Sequence, residues 1–308
     1  LTEVSGTEYT ATFTPTDDST TNGVISVGDT AFSDAAGNTN ADGSQANNTL
    51  TLSVDTVRPT IAITSAAESL KKGETTTVTF TLSEASTDFV FGDISVSGGS
   101  LSALTEVSGT EYTATFTPTD DSTTNGVISV GDTAFSDAAG NTNADGSQAN
   151  NTLTLSVDTV LPTLSRSTPA DNAIDIFINS DINLSFSEIV NTESGNIIIY
   201  NSSGKIFEKI DVTGDQVTGD GTKNIKINPS KDFAEEASYY LQIADTAFDD
   251  INSNSYVGIS DKKSLSFTTA HETSILKFST VKDVSWSLSS GEDITCLLYT
   301  SDAADDGY

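Results

Sequence analysis

Methionine does not occur in this chain, and cysteine occurs once. The single histidine, His271, leaves metal–histidine clusters and Ser-His-Asp triads with almost nothing to draw on. Cys296 lies close to the C-terminal end, so everything before it is without a disulfide, a catalytic thiol or a Cys-type zinc site. Positive charge is scarce as well. Thirteen Lys and Arg stand against 44 Asp and Glu, for a formal charge of −31. Phosphate binding needs Lys and Arg, so nucleic acid is a poor partner and an anionic membrane surface equally so. No apolar run approaches the ~20 residues that a membrane helix needs. A signal peptide is missing and Leu1 is not an initiating residue, so the chain reads as an internal fragment. Metal cations are the natural counter-charge of so acidic a surface; the plain alternative is that acidity keeps a secreted repeat soluble.

What the chain has in abundance is repetition. Residues 1–57 recur letter for letter as residues 104–160. The identity breaks at Arg58 against Leu161 and resumes at Pro59-Thr60 and Pro162-Thr163. A period near a hundred residues is too long for a solenoid turn and suits a whole domain. The one complete repeat runs over 58–160. Thr60–Thr64 reads as its first strand and Lys71-Lys72-Gly73-Glu74 as a turn. Thr77–Leu82 alternates strictly, placing Val78, Phe80 and Leu82 on one face. Glu111–Thr117 does the same with Tyr112, Ala114 and Phe116. Asp93–Ser97, Val127–Val130 and Thr152–Val157 complete a set of roughly seven short strands without a helical period. Val130, Leu153 and Leu155 fall in the same inward phase. That pattern predicts an all-β fold of tandem immunoglobulin-like β-sandwiches.

Residues 1–57 then hold only the second half of such a sandwich, and Tyr9, Phe13 and Leu52 are expected to lack an opposing sheet. Residues 161–270 read as a second type of sandwich with the same plan. Asn183–Glu188, Asn196–Tyr200, Lys223–Ile227, Ser238–Ile243 and Ser264–Thr269 supply its strands. Asp245–Asp250 echoes Asp132–Asp137 at five of six positions. Residues 271–295 are a linker or the start of a further module. Cys296–Asp305 resembles a translated sequencing adapter, so 296–308 is expected to be foreign to the protein.

Phe80-Thr81-Leu82-Ser83-Glu84, Tyr112–Pro118 and Asp137-Ala138-Ala139-Gly140-Asn141 make 58–160 similar to the bacterial Ig-like repeats of giant secreted adhesins and biofilm proteins. Residues 161–270 resemble the Ig-like domain of S-layer proteins through Ser167–Asn172, Phe186-Ser187-Glu188 and Phe267-Thr268-Thr269. The resemblance implies fold and architecture, and it implies calcium-stiffened junctions between domains. In an Ig-like sandwich the loop before the last strand lies at the end where the preceding domain attaches. This places Glu84, Asp137 and Asn141 beside the linker at Asp55. Asp158, Glu188 and Asp250 form the equivalent set at the next junction, with Asn252 as a further donor. Hard carboxylate oxygens in a chain without disulfides point to calcium. The competing reading is an Asx-turn in which Asp137 and Asn141 only cap backbone groups. Asn141-x-Asn143-x-Asp145-Gly146 begins like an EF-hand loop, but its twelfth position is Thr152 and no helices flank it.

The reading is therefore a non-catalytic stalk at the bacterial surface or outside the cell. Its partners are adjacent Ig-like repeats of the same chain, with calcium as the only cofactor. The alternatives are a glycan- or protein-binding Ig-like module, or accessory domains of a secreted polysaccharide-degrading enzyme. Aromatics at 7% that mostly sit at inward positions speak against an exposed glycan-stacking row.

Overall fold

The computed structural model describes residues 1–41, 46–145 and 149–271. Beyond His271, the further module read over 271–295 and the adapter-like tail at 296–308 lie outside the described residues, as does Gly146.

Nine strands between Ile61 and Asp158 form two facing sheets. The first orders Thr105–Ser108, Glu111–Pro118, Thr76–Leu82 and Ile61–Ser65, with Gly99–Leu101 pairing the far end of Glu111–Pro118. The second orders Ser69–Lys71, Thr152–Asp158, Gly126–Val130 and Ile94–Ser97. Alternation sets the inner faces: Val78, Phe80 and Leu82 are buried on one strand, Tyr112, Ala114 and Phe116 on its neighbour. Tyr112 pairs directly with Phe80, and both meet Phe89. Val130 and Leu155 are buried as the pattern requires, while Leu153 is half-buried at the core's margin. Phe116 lies over Gly99 and Gly126, where an added Cβ would fall 2.5 Å from its ring. Those glycines are the space the ring occupies.

Three of these strands escape the sequence pattern: Ser69–Lys71, Gly99–Leu101 and Thr105–Ser108. Each is three or four residues long, too short to show a period. Ser69–Lys71 continues the course of the first strand after it has crossed to the opposite sheet, and pairs parallel with Thr152–Asp158.

Residues 164–269 repeat the plan with other residues. Leu164–Thr168, Ile182–Thr192, Thr222–Ile227 and Val217–Thr218 make one sheet, joined by Phe248–Asp250 at the outer end of Ile182–Thr192. Ala173–Ile176, Ser266–Thr269, Ser238–Ile243, Asn196–Asn201 and Ile206–Asp211 make the other. Here too the opening strand crosses over, and Ala173–Ile176 pairs parallel with Ser266–Thr269. Phe186, Phe248 and Tyr256 fill the end of the core nearest the preceding sandwich.

The described residues of 1–57 include two antiparallel strand pairs, Thr2–Ser5 with Glu8–Thr10 and Gly23–Ser26 with Thr49–Leu52. Tyr9 and Phe13 are exposed.

Candidate metal centre at the domain junctions

The linker Asp55–Pro59 is fastened at both of its ends. The Thr56 hydroxyl donates to Thr16 O at 2.7 Å and accepts from Ser19 N–H at 3.0 Å, which fixes Asp55 against its own module. Thr159 repeats this next to Asp158, donating to Thr119 O and accepting from Ser122 N–H, and it is fully buried. On the far side, Ser83 and Thr60 exchange bonds. Ser83 N–H donates to Thr60 O, and Thr60 N–H donates to Ser83 Oγ at 2.9 Å. Ser187 and Thr163 do the same. A Ser-Glu pair placed this way turns the glutamate, Glu84 or Glu188, toward the linker.

The third group comes from the loop before the last strand. Asp137 Oδ1 accepts from Asn141 N–H at 2.9 Å, and Oδ2 accepts from Asn141 Nδ2 at 2.8 Å. Gly140, at a φ of +91°, provides the left-handed residue that closes this loop. The result is that Asp55, Glu84 and Asp137 each bring a carboxylate oxygen within 4.8 Å of the others. Asp158, Glu188 and Asp250 do the same at the second junction. Asp137 and Asp250 are buried, and among the described residues no Lys or Arg forms an ion pair with any of the six.

The electrostatics reflect this crowding. Burial, and then the charges of Asp137 and Asp55, push Glu84 above the ordinary glutamate value. Burial, Asp250 and Asp158 push Glu188 the same way, with Lys223 opposing. Burial also acts to raise Asp137, but the hydrogen bonds from Asn141 and the loop amides outweigh it and hold that carboxyl low. The first site thus joins an aspartate held low to a glutamate pushed up, and at the second Glu188 is pushed up in the same way.

Asn141 enters the site through its side-chain nitrogen, which donates. Its Nδ2 reaches Asp137 Oδ2 and also Asp55 O, at 3.2 Å across the junction. The expected counterpart, Asn252, is not the equivalent residue. Asn254 is: its N–H and Nδ2 bond Asp250 at 2.8 Å each, and Nδ2 bonds Asp158 O at 3.0 Å. Ser253, at a φ of +65°, stands where Gly140 stands in the first loop. Asn252 donates instead to Asp158 Oδ2 at 2.6 Å. The signal was present in the sequence, since each asparagine lies four residues after its aspartate. Asn143 and Asp145, the inner residues of the EF-hand-like run, take no part. Asn143 Oδ1 accepts from Ala134 and Phe135, and Asp145 Oδ1 accepts from Ile61 N–H at 2.8 Å. They tie the loop to the first strand. Two anchors at the junctions were also missed: Arg58, whose guanidinium ties the linker to its own module at Thr142 O, 2.8 Å away, and Lys72, whose N–H donates across the second junction to Asn254 Oδ1 at 2.8 Å.

Sandwiches of one plan, joined through short proline-containing linkers and carrying the same acidic triad at each join, define a tandem immunoglobulin-like array. The chain belongs to the bacterial Ig-like domains. One family described by that phrase matches residues 1–51 and 55–154, and a second of the same description matches 158–269. No curated protein matches the chain. Among solved structures it is similar to the Escherichia coli adhesin FdeC, at 17% identity and a TM-score of 0.41, over 73% of this chain and 69% of that one. It is also similar to the Yersinia pseudotuberculosis adhesin InvE, at 15% identity and a TM-score of 0.27, over 65% and 59%. CopC from Methylosinus trichosporium matches 35% of the chain over 93% of its own length, at 18% identity and a TM-score of 0.26. Among the described residues no helix is long and apolar enough to cross a membrane.

Proposed function

We propose that the chain is a non-catalytic stalk segment of a bacterial surface or secreted adhesin, and that calcium bound at each junction sets the angle between successive sandwiches. The observation that carries this reading is duplication. Two sandwiches of different sequence type bring an Asp of the linker, a Glu just past Leu82 or within Ile182–Thr192 and an Asp of the last loop to the same place. Three carboxylates without nitrogen or sulfur donors suit a hard cation. Asp55, Glu84 and Asp137 would hold the first ion, and Asp158, Glu188 and Asp250 the second. A bound ion supplies a direct counter-charge to three carboxylates that form no ion pair with Lys or Arg among the described residues. The Asx-turn hydrogen bonds are compatible with this role, because Oδ2 of Asp137 and Oδ2 of Asp250 each accept one side-chain bond and keep a second lone pair.

Extracellular modules bind calcium with dissociation constants of about 10⁻⁴–10⁻³ M. At ten times that constant one site adds about 1.4 kcal/mol. Small-angle scattering of the chain is expected to show a longer, stiffer particle in millimolar calcium than in chelator, with a raised melting temperature. Asp158→Ala should remove the effect at the second junction and leave each sandwich folded. Identical scattering and melting in the two conditions would overturn the proposal.

A further inference from the structure

We infer that the third module carries a binding site for a neutral sugar unit, on the outer face of the sheet that holds Asn196–Asn201 and Ser238–Ile243. The site is separate from the junctions and does not depend on calcium. Alternation sends Ile197, Ile199, Leu241 and Ile243 into the core, where none is more than 3% exposed. Asn196, Ile198 and Tyr200 on one strand, and Tyr240 and Gln242 on the next, therefore face outward. Ile198 pairs Gln242, and Tyr200 pairs Tyr240. An outward row of an antiparallel sheet is ordinarily polar and wet. This one is amphipathic, and the segment from Val257 to Lys262 walls one side of it.

The wall is fixed in place. Ile243 and Ile259 exchange both backbone hydrogen bonds, at 2.8 and 2.9 Å. Gln242 Nε2 donates to Ser260 O at 2.5 Å. Gly258, at a φ of +73°, lets the segment lie close: an added Cβ would fall 2.5 Å from Ile243 O. Between wall and sheet lies a cavity of about 430 Å³, a size suited to a small molecule. Ile198, Ile259 and Val257 supply its apolar surface, with Val257 68% exposed at the lip. Asn196, Gln242, Asp245 and Ser260 supply polar atoms. Among the described residues the side chains of Asn196 and Asp245 enter no hydrogen bond, and Gln242 commits only its Nε2.

The lining selects the chemistry. No Lys or Arg lines the cavity and Asp245 is its one charge, so phosphate, sulfate and carboxylate ligands are repelled. A wholly apolar guest would cut Asn196, Gln242 and Asp245 off from water without replacing its hydrogen bonds. A pyranose ring satisfies both kinds of surface. The carbon-bound hydrogens of one ring face lie against Ile198 and Val257, while hydroxyls donate to Asp245 and Gln242 Oε1 and exchange bonds with Asn196. Two residues further along both strands, about 7 Å, the Tyr200 and Tyr240 rings stack at 5.0 Å and 9° from parallel. Lys262 Nζ lies 5.7 Å from the Tyr240 ring centre. Tyr240 is thus covered and Tyr200 is the more open ring, placed to receive the next sugar of an oligosaccharide. The expectation that aromatics sit inward fails at these two tyrosines, which occupy the outward phase of their strands.

The test titrates the intact, isotope-labelled chain in chelator and follows its amide shifts by NMR. The probes are glucose, galactose, mannose and N-acetylglucosamine, the neutral hexasaccharides cellohexaose and maltohexaose, and glucuronic acid as the anionic control. At least one neutral sugar should give saturable shifts at Asn196, Gln242 and Ser260, and glucuronic acid should give none. Asn196→Ala and Asp245→Ala lie outside the core and should leave the melting temperature unchanged while weakening binding about tenfold each. Tyr200→Ala should weaken a bound hexasaccharide and leave a bound monosaccharide as it was. If no neutral sugar of the panel shifts these amides, or if both cavity variants bind as the parent does, the inference is overturned. A leucine-rich tripeptide that saturates the cavity where no sugar does would assign it to a peptide and overturn the inference as well.

Discussion

At the residue scale, Glu84 and Glu188 are the groups that make each junction sensitive to its surroundings. Both are held above their ordinary value of 4.5, chiefly by burial. The protonated form is then favoured in the fold, so their contribution is complete below pH 4.5 and is lost as pH rises through the raised value. Asp88, Asp137 and Asp211 are lowered from 3.8 and act in the opposite sense: their contribution is present above pH 3.8 and is lost as pH falls. In chelator, the melting temperature should therefore fall as pH climbs upward from 4.5, and Glu84→Gln with Glu188→Gln should flatten that fall. Thermal melts at stepped pH check this. The acidic residues at the junctions were legible because they recur in turn motifs. Asn254 shares the four-residue spacing of Asn141 from its aspartate but was passed over, because Ser253 replaces the glycine that marks the first loop. An L-residue in the left-handed region costs roughly 1–2 kcal/mol, yet the hydrogen bonds of Asp250 and Asn254 hold Ser253 there.

At the scale of the strand, the duplicated segment separates what a local sequence dictates from what it does not. Hairpin register, the Asp34 loop and the glycine beneath the ring at Phe13 all form without an opposing sheet. Asp34 accepts from Ala36 and Asn38 just as Asp137 accepts from Asn141. Burial does not form, since it belongs to the pair of sheets. Strict alternation made Thr76–Leu82 and Glu111–Pro118 readable, whereas Ser69–Lys71 owes its existence to the neighbour it pairs with. Phe80 is fully buried between Phe89 and Tyr112. Phe80→Ala should cost about 3–5 kcal/mol, read as a shift in the denaturation midpoint at unchanged slope. Residues 161–270 should keep their own stability, because their core is a separate cluster.

Across the whole molecule, the second junction carries direct contacts as well as acid. Lys72 N–H and Asp158 O both bond the Asn254 side chain, and Lys71 Nζ reaches Ser253 O at 3.1 Å. Asn254→Ala removes the shared partner and leaves buried groups unpaired, at a cost of about 1–3 kcal/mol to the third module. The two sandwiches should then tumble with distinct correlation times by NMR relaxation, where the parent chain shows one. The parallel pairing of Ser69–Lys71 with Thr152–Asp158, and of Ala173–Ile176 with Ser266–Thr269, bears on what happens when such an array is stretched. In each sandwich an opening strand and the closing strand lie side by side and point the same way. A pull applied through the two ends slides one along the other, so the backbone bonds between them are loaded together rather than peeled one at a time. Tension along the array therefore loads this edge of each sandwich in the shearing direction, where rupture needs every bond of the pair to fail at once.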